Sequence, residues 1–414
     1  MGNRRPEETT PLREVRFSAF LARPDLINSE SNMAQSVDLK GVSRRVAALP
    51  ASLAMGLGAS LREHALLIAI VVVHLLVGAA MPILLGRPLH FQLGLAHVAG
   101  LIWLLGFWSV LIAAVAGFAA ASIRRGRGRP MAAGFAWLRD DFFRKDRIWG
   151  GIIVFALLPV FGWNFAFLKA LLPLLHSFDW DSTLAAWDRG LHFGRQPWEW
   201  LQPALGFPVV TSTLSLIYAL WFFVLYAVNA WQAFARRDPV GRMQYLLCTT
   251  LLWAVLGNVG GILLASGGPV YYGRLTGLPD PFIPLFQYLD AANGQWLNFS
   301  RKIQEVVWDL YLVNGHDDKI AGSISAMPSL HIASACGFYL VARANNRWLG
   351  WGFLAFLVLM LLGSVHLGWH YAIDGYAGIA GAIAIWWGCG RLVRWPVMHR
   401  LLWGAKHHAA ASSP

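Results

Sequence analysis

Residues Ala326–Gly378 read AMPSLHIASACGFYLVARANNRWLGWGFLAFLVLMLLGSVHLGWHYAIDGYAG. Two polar clusters sit at the edges of apolar segments here. One is Met327-Pro328-Ser329-Leu330-His331; the other holds His366, His370 and Asp374. The apolar run between them, about Leu349–Val365, is long enough to cross most of a bilayer core, which takes about 20 residues. The segment led by His331 crosses first and this run crosses back, so both clusters return to one membrane face.

Ionisable groups at membrane depth are costly, roughly 2.5–3.5 kcal/mol each on insertion scales, and mark function by default. His370 and Asp374 are four residues apart, a spacing that shares one helix face. A carboxylate there can take the Nδ1 proton of the imidazole and leave Nε2 free to attack. His331 supplies a second imidazole. Two such rings facing a phosphate suit a two-step transfer, with one bonding to phosphorus and the other protonating the leaving oxygen.

Composition sets the class independently of these residues. Hydrophobic residues make up 57% of the 414 and charged ones only 14%, with 21 tryptophans, which is the balance of a polytopic membrane protein. The net charge of +12 is clustered between apolar segments, so it reads as topology-setting loop charge and no nucleic-acid partner is expected. Cys248, Cys336 and Cys389 fall in separate apolar segments and read as buried thiols, with no disulfide framework or metal spacing.

About eight spans are expected: Ala65–Leu85, Leu93–Ile123, Ile148–Leu175, Val209–Phe234, Tyr245–Ala265, Ser329–Arg343, Leu349–Val365 and Tyr371–Val393. A short surface helix is expected around Val46–Leu61. The first apolar run begins near Ala65, too late for a secretory signal. Alternating spans collect Arg4, Arg5, Arg13, Arg16, Arg44 and Arg45 on one side. Arg124, Arg125, Arg127, Arg129, Arg144, Lys145, Arg147, Arg236, Arg237, Arg242, Arg343, Arg347, Arg391, Arg394, Arg400 and Lys406 join them. That side is expected to be cytoplasmic, both termini included, and His331, His370 and Asp374 then face outward.

Pro328-Ser329-Leu330-His331 followed one hairpin later by His370-x-x-x-Asp374 resembles the type 2 phosphatidic acid phosphatase superfamily. Leu330 stands where that pattern has Gly, and Gly363-Ser364 where it has Ser-Arg. These departures resemble the inositol phosphorylceramide synthase, or inositolphosphotransferase, branch. The resemblance implies an all-α polytopic bundle with a six-helix phosphatase-like core. It implies His370 as nucleophile, Asp374 as its orienting partner, His331 as general acid and a phosphohistidine intermediate. Neither a metal nor any other cofactor is expected. The implied partners are a membrane lipid substrate (a phospholipid or polyprenyl phosphate) and a lipid alcohol acceptor, with water as the alternative and a non-catalytic lipid transporter or scaffold as the reading from another class. The expected location is the bacterial inner membrane, with the site facing the periplasm.

The organisation read from this is a polar tail over 1–60, two additional spans and a basic loop over 61–147, a phosphatase-like membrane domain over 148–395 and a tail over 396–414. Further site candidates carry two readings each. Lys169 in the third span could neutralise phosphate or snorkel to the interface. His366 could meet phosphate as a cation or be an interfacial residue. The Gly-rich run Ser266–Arg274 could present backbone N–H groups to an anion, with Arg274 and Tyr271 beside it, or be an ordinary turn ending a span. Ser329 joins the substrate-binding candidates. Asp179, Asp181, Asp188 and His192, within the Trp-rich stretch Phe178–Leu201, read as solvated residues of an interfacial helix. Ile303–Val313 is amphipathic and reads as a helix capping the site.

Overall fold

The computed structural model describes residues 49–86, 90–91, 107–108, 111–112, 114–115, 117–124, 128–142, 145–235, 238–295, 298–313, 319–320 and 324–404. The chain divides into two compact units, Met1–Met55 and Gly56–Pro414, and everything below concerns the second except the first turns of one helix. Leucine, isoleucine, valine and alanine runs without charges have no way to satisfy their backbone in a bilayer except as helices, and helices dominate. They are α1 (Leu49–Glu63), α2 (Ala65–Leu84), α3 (Pro130–Trp137), α4 (Lys145–Ala170), α5 (Asp181–Leu191), α6 (Pro197–Leu205) and α7 (Pro208–Ala233). After them come α8 (Pro239–Leu251), α9 (Ile283–Gln295), α10 (Phe299–Val313), α11 (Leu330–Asn345), α12 (Arg347–His366), α13 (Ala372–Arg394) and α14 (Pro396–Trp403).

Among the described residues six helical segments are long and apolar enough to cross a membrane: Ala65–Leu84, Ile148–Ala170, Pro208–Ala233, Pro239–Leu263, Arg347–His366 and Ala372–Arg394. The expected all-α polytopic architecture is therefore present. The expected span Leu93–Ile123 lies largely outside the described residues. The span expected at Ser329–Arg343 is the 16-residue helix α11, shorter than its neighbours. A two-residue parallel pairing, His90–Phe91 with Lys319–Ile320, is the one strand contact among the described residues.

Two packing devices place the site. α11 and α12 form a tight hairpin: Asn346 caps α12, its Oδ1 accepting the N–H groups of Trp348 (2.8 Å) and Leu349 (3.1 Å). α13 then returns against α11, and Gly378 allows the close approach, since a Cβ there would stand 2.7 Å from the Ser329 carbonyl oxygen. The cysteines are free and buried in these packed faces, as expected.

Two polar clusters fasten the amino-terminal helices. His74 of α2 bonds Asn258 (3.0 Å) through Nε2 and Asn164 of α4 (2.9 Å) through Nδ1. Asn258 lies in the π-helical turn Leu252–Gly260 that continues α8. At the other end Arg242 is no free loop charge. It is buried, donating to Glu63 (2.9 Å), to His64 Nε2 (2.9 Å) and to the carbonyls of Gln232 and Ala233. Burial pulls His64 down to about 4, the Arg242 charge adding to it, so the ring stays neutral and can accept.

Candidate active site

α13 opens the site. Its first turn leaves N–H groups without intrahelical partners, as every helix does. Two of them, on Ala372 and Ile373, donate to Oδ2 (2.7 Å) and Oδ1 (3.0 Å) of Asp188 on α5. Asp374, two turns' worth of chemistry in one carboxylate, reaches back from the same first turn. Its Oδ2 accepts the Tyr371 N–H (3.0 Å) and the Nδ1 proton of His370 (3.3 Å). That bond is at the long end for an N–H···O pair, as catalytic bonds in unliganded sites commonly are. Oδ1 of Asp374 is buried without a partner. Asp374 is fully buried and His370 nearly so.

His331 arrives from the other side, in the first turn of α11. Its ring lies 6.0 Å, centroid to centroid, from that of His370, at 60° between planes. Ser329 caps α11 weakly, its Oγ 3.5 Å from the Ile332 N–H, while its own N–H donates to the Asp374 carbonyl (3.1 Å). The two helix N-termini are thus tied at Ser329 and Asp374, beside the residues that carry the imidazoles. The positive end of α11 faces the site, which favours an anion there. Tyr218 stacks on His331 at 4.7 Å and Trp221 lies 4.3 Å from it, both from α7.

The remaining sequence candidates separate. Lys169, half-buried, makes no hydrogen bond or ion pair with the described residues. Arg274 does not join the imidazoles. Its guanidinium forms a bidentate pair with Glu305 of α10 at 3.1 Å and lies over Trp308. Tyr271 is buried, its hydroxyl donating to the Gln304 carbonyl (2.7 Å). His366 bonds residues other than the imidazole pair. It is wholly buried and bonds Thr211 (2.9 Å), which in turn bonds Tyr288. α10 does lean on the site loop, Gln304 Nε2 donating to the Leu367 carbonyl (2.9 Å).

Asp181 and Asp188 overturn their reading as solvated residues, while Asp179 is exposed as expected. Asp181 and Asp188 are 0% and 1% exposed. The reason is backbone satisfaction: Asp181 accepts from the N–H groups of Gly267 (2.8 Å) and Gly268 (2.9 Å) and from the Tyr371 hydroxyl (2.8 Å). The anion that the Gly-rich run holds is therefore the chain's own. Gly268 must be glycine there, with φ at +86° and the Trp369 carbonyl 2.6 Å from any added Cβ. Burial pushes both carboxyls up to about 6, their bonds to backbone N–H groups partly opposing it. The seven-residue spacing of Asp181 and Asp188, two helical turns with buried Leu184 and Ala185 between, was the sequence signal that could have found them. Among the described residues no group of three or more His, Cys, Asp or Glu side chains is placed to hold a metal ion.

A phosphate flanked by two imidazoles, one oriented by a buried acid at a helix N-terminus, is the chemistry this geometry can serve. The family model described as the PAP2 superfamily matches residues 182–388, half of the chain, and the chain belongs to that superfamily. It is a membrane-embedded enzyme of the phosphatase or phosphotransferase type acting on lipid phosphate. No curated protein and no solved structure matches it.

Proposed function

We propose that the protein transfers a phosphate-bearing group from a membrane lipid through a phosphohistidine, in the manner of an inositolphosphotransferase. The observation that carries this is the His331–His370 pair with Asp374 behind it. In the first step Nε2 of His370 attacks phosphorus, the P–O bond to the leaving group breaks, and imidazolium His331 gives that oxygen its proton. Asp374 holds Nδ1–H and stabilises the imidazolium character that develops on His370. In the second step an acceptor hydroxyl attacks phosphorus, its proton passes to His331, and the P–N bond to His370 breaks. Lys169 offsets phosphate charge, and the N-terminal end of α11 adds to it.

Two features favour a lipid alcohol over water as acceptor. Leu330 and Gly363-Ser364 resemble the inositol phosphorylceramide synthase branch. His370 and Asp374 are also buried, at 6% and 0% exposure, and the partly buried His331 lies against an aromatic wall of Tyr218 and Trp221. Hydrolysis of phosphatidic acid or a polyprenyl phosphate is the second reading, because the same imidazoles serve water equally well. The charge pattern of the loops supports a site on the non-cytoplasmic face of a bacterial inner membrane.

The test is incubation of the purified protein with labelled phospholipids, with and without candidate lipid alcohols. A new labelled lipid that requires the alcohol is the expected product. Release of free phosphate or phospho-head-group regardless of alcohol would replace transfer with hydrolysis. Lipid binding without turnover, unchanged in His370→Ala, would make the protein a carrier.

A further inference from the structure

The wall around His331 has a property that packing alone does not require. Tyr218 and Trp221 are 7% and 3% exposed, and the Tyr218 hydroxyl and the Trp221 Nε1–H are buried without any hydrogen-bond partner. Trp369, the residue before His370, lies parallel to Tyr218 with ring centroids 6.1 Å apart, and its Nε1–H is also buried and unpartnered. Tyr218 and Trp221 lie against the His331 ring, and Trp369 lies against Tyr218.

Leaving one such buried donor unmade costs about 1–3 kcal/mol. Indole N–H groups donate only, so what satisfies them must be an acceptor. A phosphoryl group brings three strong acceptor oxygens, and the guanidinium the sequence offered for it, Arg274, is bound to Glu305.

We propose that Tyr218, Trp221 and Trp369 bind the phosphoryl oxygens of the substrate, forming a donor box of neutral O–H and N–H groups where a guanidinium would otherwise serve. This rests on the phosphotransfer reading above. The box leaves charge neutralisation to Lys169 and supplies directional bonds in a water-poor pocket, where each is worth more than in solvent. It also gives the stacked wall two roles, holding the His331 ring and gripping the group that His331 protonates.

The probe is inorganic phosphate, titrated calorimetrically into the full-length protein in detergent. Tyr218→Phe keeps the stack on His331 and removes only the hydroxyl. Trp221→Phe and Trp369→Phe remove the indole donors. Each is expected to weaken phosphate binding about tenfold or more, the scale of a bond to a charged acceptor. Trp387→Phe, exposed on α13 and paired with Arg391, should bind as wild type does. Thermal melting reports folding, and should the tryptophan variants melt early, the affinity of Tyr218→Phe decides. Unchanged affinity in Tyr218→Phe overturns the donor box, as does a wild type that binds no phosphate. Phosphohistidine formation separates the two ideas. If it occurs in the wild type while the three variants bind normally, the box fails and phosphotransfer stands. If the variants lose phosphate and the wild type never forms it, the box stands and phosphotransfer fails.

Discussion

His331 and His370 meet edge to face, ring centroids 6.0 Å apart, although a whole helical hairpin separates them along the chain. That spacing is close to ring contact, so both imidazoles can reach one phosphoryl group held beside them. It makes the pair interdependent: one ring is useful only while the other holds its place. His370→Ala is expected to abolish turnover and the acid-labile phosphoenzyme together. His331→Ala should slow turnover about 10²–10⁴-fold, and a leaving group of low pKa should restore much of it, since proton donation is then dispensable. Full activity in either variant with a natural lipid would remove that residue from the chemistry.

Asp374→Asn preserves size but leaves the Tyr371 N–H and the His370 ring competing for a poorer acceptor. A loss of about 10²–10⁴-fold in kcat with KM nearly constant is expected, because the orienting carboxylate acts on the transition state more than on binding. The measurement is steady-state kinetics with the lipid donor. A KM effect alone would make Asp374 a structural cap and nothing more.

Gly378→Ala tests positioning without touching the reacting groups. The new Cβ would stand 2.7 Å from the Ser329 carbonyl, a backbone atom, so α11 and α13 must part. A displacement near 1 Å costs about 100-fold in rate. The drop should appear in kcat, with the protein still folded by circular dichroism.

Asp188 gives a pH signature. Its carboxyl lies at about 6 in the folded chain against an ordinary value of 3.8, so between those limits the folded state binds more protons than the unfolded one. Stability therefore falls as pH rises from about 4 to 6, by up to about 3 kcal/mol for such a group, and the contribution is fully present only below the ordinary value. Asp181, raised to about 6 as well, acts in the same direction. Melting temperatures measured across this window should decline in the wild type and roughly half as steeply in Asp188→Asn. Equal slopes would mean that Asp188 does not titrate there.

Arg274→Ala should leave turnover within about twofold and cost about 0.5–1 kcal/mol of stability, the scale of a half-exposed ion pair. A large kinetic loss would bring Arg274 back to the phosphate.

The hairpin logic that joins His331 to His370 was legible because it needs only two helix lengths and the membrane's thickness. The spans were legible for the same reason, and α11 was the marginal one because its 16 residues carry polar termini. What the sequence did not disclose was who holds the catalytic turn. Asp181 and Asp188 spend their oxygens on backbone N–H groups of Gly267, Gly268, Ala372 and Ile373, and main-chain donors leave no residue-type signature. Tyr218, Trp221 and Trp369 were equally hidden, since a chain with 21 tryptophans gives no reason to single out these. Arg274 stood at a plausible place, but its partner, Glu305, lies a helix and a loop away.

The family match opens at residue 182, one position after Asp181. A fragment trimmed to that homology boundary would keep both imidazoles and lose the carboxylate that grips Gly267, Gly268 and the Tyr371 phenol. Lys169 would go with it. A fragment cut at residue 182 is consequently expected to melt earlier than the full chain and to turn over lipid more slowly, assayed side by side.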